Sequence, residues 1–154
     1  MNVELLLNFI RNFDEDLEVV YVPKIQPMYS SEGTIFIGDD FENNATYFTD
    51  HMVEKHLCAP DLVKSLSIPM WSILHEIGHY FTWDDEEWEK EQIARHLIDY
   101  VSKGKTFMSF ESVRKIVQFR HFDLPLEWVA TDWAIDYVET HLEELKKADK
   151  IIFG

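Results

Sequence analysis

The chain has 154 residues, 46% of them hydrophobic and 14% aromatic, which suits one domain-sized packed core and excludes global disorder. Its 29 acidic residues outweigh 14 basic ones for a formal charge of −15, which repels nucleic-acid phosphates and anionic membrane faces and favours basic partners. One cysteine, Cys58, leaves no internal disulfide to form, and no stretch approaches the roughly 20 apolar residues that cross a bilayer.

The opening MNVELLLNFIRNF lacks a basic leader and a small-residue cleavage site, so a cytoplasmic protein beginning with a structural helix is expected. In that segment Val3, Leu6, Leu7, Phe9 and Ile10 recur at helical spacing, and Asp14-Glu15-Asp16 ends the pattern. Two strands follow, LEVVYVP at 17–23 and TIFIG at 34–38, with turn chemistry at Ser30-Ser31-Glu32-Gly33 between them. They are expected to pair antiparallel as a small sheet. Residues 39–68, broken by Asn43-Asn44, Pro60 and Pro69, read as loop with one or two helical turns. From Pro69 a helix is predicted, because Met70, Ile73, Leu74, Ile77 and Tyr80 follow at helical intervals. Residues 86–104 read as another helix ending at Gly104, and Ser109 caps a further one to about Phe119. The strongest pattern comes last, entered through Asp123 and Pro125 and running through Val129, Trp133, Tyr137, Leu142 and Leu145. With no repeat, linker or low-complexity tract, the expectation is an α+β chain, one mostly helical domain over residues 1–154.

The chemistry concentrates in ILHEIGHYFTW, residues 73–83. Four residues of helix turn about 400° and rise about 6 Å, so His75 and His79 leave nearly the same face one turn apart and two imidazoles can close on one ion. Glu76, rotated about 100° from His75, flanks such an ion without ligating it and is placed to act on water. Gly78 leaves room for a neighbouring backbone. A catalytic zinc takes three protein ligands, and two glutamates compete for the third place. Glu91 follows so soon after His79 that its helix must turn back at once, whereas Glu127 stands near the start of the strongest helix with the small Ala130 and Ala134 on its own face. The preference falls on Glu127.

His75-Glu76-Ile77-Gly78-His79 followed by Glu127-x-x-Ala130-x-x-Trp133-Ala134 resembles the ImmA/IrrE group of small zinc metallopeptidases, with its H-E-x-G-H and E-x-x-A-x-x-F-A patterns. The resemblance covers these two segments and, more loosely, the GTIFIG strand. It implies a minimal zincin-like core in which the HExxH helix packs on a glutamate-bearing helix, with His75, His79 and Glu127 on Zn2+ and Glu76 as general base. It also implies a protein or peptide substrate, since several members of the family cleave helix-turn-helix repressors. Trp133 stands where the family has phenylalanine, and the interval from His79 to Glu127 is long enough for an extra helical element to reshape the cleft.

Thr131, one turn after Glu127 on the same face, serves either to support a group at the metal site or simply in helix packing, while Asp132 and Asp136 point elsewhere. Tyr29, His96, Tyr100 and His121 are candidate oxyanion donors, and none is assigned. Trp71, Trp83, Trp88 and Trp128 read as core or cleft wall. TIFIG reads either as an ordinary core strand or as an exposed edge that holds an extended substrate by strand addition. The competing functional classes are an acidic binding protein that mimics nucleic acid or blocks a basic partner around a structural metal, and a zinc hydrolase of a non-peptide substrate.

Overall fold

The computed structural model describes residues 1–41, 45–103 and 121–154. The elements run α1 (Val3–Arg11), β1 (Glu18–Tyr21), β2 (Met28–Tyr29), β3 (Thr34–Ile37), α2 (Ala45–Glu54), α3 (Pro60–Val63), α4 (Ile68–Thr82), α5 (Asp85–Lys103) and α6 (Pro125–Phe153). The fold is α+β and mostly helical, with one small sheet. The helix expected to start at Ser109 lies outside the described residues. No helix among those described is long and apolar enough to cross a membrane.

The sheet corrects the expected topology. Its order is β1-β3-β2, with β1 parallel to β3 (Val19 opposite Ile35, Tyr21 opposite Ile37) and β2 antiparallel to β3 (Tyr29 opposite Ile35). The hairpin turn at 30–33, where Gly33 has φ +96° and its amide bonds the Ser30 carbonyl at 2.9 Å, belongs to β2 and β3 instead of β1 and β3. β2 is only two residues long, too short for an alternating pattern to announce it. Between β1 and β2 the chain reverses past Pro23 and Lys24, the latter at φ 64°. TIFIG is therefore the central strand, and the outer strand on the cleft side is β2.

Residues 39–68 also hold more helix than expected, since α2 is 10 residues long. Its pattern is obscured by polar and β-branched residues, but Phe48, His51 and Met52 are buried on one side of it. Ile35 and Ile37 of β3, Leu6 and Ile10 of α1, and Trp71, Ile73, Leu74 and Ile77 of α4 form the fully buried heart of the core. The indole of Trp71 donates to the Val63 carbonyl at 2.9 Å.

α4 and α6 make the principal helix pairing. Ser67 caps α4 through its hydroxyl and is itself held by Asp149 near the far end of α6. At the other end the two backbones meet at Gly78, where a Cβ would stand 2.5 Å from the Ala130 carbonyl oxygen. Gly78→Ala is therefore expected to force the helices apart, at about 1–3 kcal/mol of stability in chemical denaturation, as for other overpacked cores. Wild-type stability in that variant would contradict the close approach.

Candidate metal centre

His75 and His79 lie on α4 one turn apart, and the close packing at Gly78 and Ala130 brings the first turn of α6 over them. Both imidazoles aim Nε2 at one oxygen of Glu127: His75 lies 2.8 Å and His79 3.2 Å from Oε2. The three ligand atoms fall within 4.8 Å of one another, and all three residues are buried, at 4%, 5% and 5% exposure. Two imidazole nitrogens and a carboxylate oxygen converging in a buried site match the donor set that binds divalent metals. The group can hold a metal ion, and this donor chemistry is not peculiar to zinc.

Neighbouring groups fix the ligands. The Thr131 hydroxyl donates to the Glu127 carbonyl at 2.9 Å and lies 3.1 Å from His75 Nδ1, where it is placed to accept the ring N–H once an ion takes Nε2. Without an ion, His75 Nε2 carries the proton it shares with Glu127 Oε2 at 2.8 Å. His79 stacks against Tyr29 with ring centroids 5.9 Å apart, and its Nδ1 is buried with no hydrogen-bond partner among the described residues. Glu76 stands beside the histidines, half-buried, and its carboxylate accepts the backbone N–H of Tyr29.

The other oxygen of Glu127 is also occupied. Arg95 Nη2 donates to Oε1 at 3.0 Å, and His121 Nε2 lies 3.3 Å from the same atom. Glu91, the rival for third ligand, does not join the histidines. Its Oε1 accepts the Leu126 amide at 2.7 Å and its Oε2 accepts Arg95 at 2.9 Å, so it caps α6 from outside.

Burial opposes charge on Glu127, yet His121 and His79 outweigh it, and with hydrogen bonds from His121 and His75 they hold the carboxyl well below its usual range. Burial takes His75 down to about 4 despite the Glu127 hydrogen bond, with His79 adding to the effect. For His79 burial acts in the same downward sense, but the charges of Glu127 and Glu76 prevail and its pKa is raised. Burial thus favours a neutral His75, while the neighbouring carboxylates push His79 the other way; metal binding needs both imidazoles unprotonated at the ligating nitrogen. Loss of solvation lifts Glu76 to about 7, a range in which a carboxyl both takes up and returns a proton.

These groups open onto a cleft of about 340 Å³, walled by Met28 and Tyr29 of β2 and by Phe48, Trp83, Trp88 and Phe122. Of the four candidate oxyanion donors, Tyr29 and His121 line this cleft, His96 is exposed outside it, and the Tyr100 side chain lies outside the described residues. Among the tryptophans, Trp71 is core, Trp83 and Trp88 are cleft wall, and Trp128 packs against His56 with ring centroids 4.0 Å apart. α5 lies between His79 and Glu127 in the chain and supplies Trp88 and Arg95 to the cleft. Arg95 is the site residue that sequence reasoning missed; its i,i+4 spacing from Glu91 signals only an ordinary helix-surface pair. No family model matches the chain, and comparison with curated proteins and with solved structures likewise gives no match.

Proposed function

We propose that the chain is a cytoplasmic zinc metallopeptidase of the ImmA/IrrE kind, with a zincin-like core, that hydrolyses a peptide bond in a basic protein partner such as a helix-turn-helix regulator. The observation that carries this is the convergence of His75, His79 and Glu127 on one point of a cleft with Glu76 alongside. A merely structural metal has no use for a half-free carboxylate next to its first ligand.

Zinc held by the three residues supplies a Lewis acid that acidifies water and polarises a carbonyl. Glu76 takes the proton of the attacking water and returns it to the leaving amine, and the Tyr29 amide holds its carboxylate in place for both transfers. An extended peptide runs along β2, whose residues Met28 and Tyr29 face the cleft, so the edge role open to TIFIG passes to the outer strand. Phe48, Phe122, Trp83 and Trp88 receive apolar substrate side chains, and the net charge of −15 draws basic proteins to the surface.

The test is incubation of zinc-loaded protein with basic helix-turn-helix regulators, beginning with the one encoded nearest this chain. Discrete fragments are expected, lost on chelation and recovered with added zinc. Tight binding without cleavage at any zinc concentration would instead favour the acidic binding protein.

A further inference from the structure

We propose that Glu91 and Arg95 form a relay that sets the orientation of Glu127 and thereby the affinity of the centre for its ion; this rests on the metal-centre reading of His75, His79 and Glu127. Glu91 and Arg95 lie one turn apart on α5, spacing that on most helices makes a solvated pair of little consequence. Here Glu91 is buried, at 4% exposure, and the pair reaches across to α6. One Glu91 oxygen takes the amide of Leu126, an N–H in the first turn of α6 that has no acceptor within its own helix. The other takes Arg95 through Nε at 3.3 Å and Nη2 at 2.9 Å.

The same Nη2 donates to Glu127 Oε1 at 3.0 Å. Glu91 therefore fixes Glu127 twice, through the backbone amide immediately before it and through the far end of its side chain. The guanidinium has little freedom to leave, since it also sits 4.8 Å above the Trp88 ring. With Oε1 engaged by Arg95 and His121, Oε2 is the oxygen presented to both histidines. Charge does not account for the arrangement: an arginine alone repels an arriving cation, and Glu91 offsets it, so what the pair adds is direction. Partners that orient a ligand in this way typically contribute about 10–100-fold to metal affinity.

The rival account is that the pair only ties α5 to α6. The experiment is zinc affinity by chelator competition for wild type and Arg95→Met, each also in a Glu127→Ala background, with metal-free thermal midpoints recorded in parallel. The relay predicts about a tenfold or greater loss of affinity from Arg95→Met when Glu127 is present, and none when it is absent. Unchanged affinity, or the same loss in both backgrounds, would overturn it. Arg95→Lys keeps the charge but loses the second donor to Glu91, Nε, and the planar geometry that aims Nη2 at Glu127, so it guards against misfolding of the methionine variant. It is expected to keep the wild-type midpoint and bind zinc more weakly; wild-type affinity there would also overturn the relay. Wild-type protein that binds no zinc removes the metal reading and the relay together, whereas zinc-binding wild type with unaffected variants removes the relay alone.

Discussion

Zinc-loaded Glu76→Gln protein is expected to keep its ion and its fold while hydrolysis falls by roughly 10²–10⁴-fold, the contribution of a positioned acid–base group. Glutamine matches the size of the side chain and retains an oxygen for the Tyr29 amide, so the packing around position 76 survives. It cannot accept a proton from water. The metal ligands lie on the other residues of the site, so zinc content should not change. The comparison is made at equal zinc occupancy, with fragments quantified against wild type. Equal cleavage by the two proteins would remove Glu76 from the mechanism, and with it the strongest reason for assigning hydrolysis to this chain. An acidic binding protein predicts no such divide, because one carboxylate among 29 barely alters its field.

His79→Ala is expected to lose zinc while keeping the fold. Removing an orienting partner of a metal ligand costs about 10–100-fold in affinity, and removal of a ligand itself should exceed the top of that range. The metal-free chain tolerates the change because Glu127 keeps hydrogen bonds or ion pairs to His75, Arg95 and His121. The measurement is the thermal midpoint with and without zinc. A ligand that binds only the native state raises it by mass action, so zinc should shift wild type and leave His79→Ala in place. Equal shifts in both proteins would mean the ion binds elsewhere.

The HEIGH helix was legible because its apolar residues keep a helical period around the two histidines, and the α6 helix because Pro125 opens a long pattern. The small residues Gly78 and Ala130 pointed to the close crossing that the backbone contact displays. Thr131 could be placed by helix geometry alone, one turn from Glu127. The sheet was less legible, because pairing is a long-range property and the two residues of β2 carry no period of their own. Glu91 and Arg95 were opaque for a different reason. A charged pair at this spacing reads the same whether it faces water or another helix, and only the packing of α5 on α6 turns it inward. His121 sits at the end of a stretch whose sequence gives no direction to its side chain.

The most direct measurement is a crystal structure of the zinc-loaded protein. One ion is expected, with His75 Nε2, His79 Nε2 and a Glu127 carboxylate oxygen each at about 2.0–2.2 Å, Arg95 still on the other oxygen, and Glu76 beside the ion without ligating it. An ion bound through Glu91, or coordinated away from the two histidines, would contradict the account.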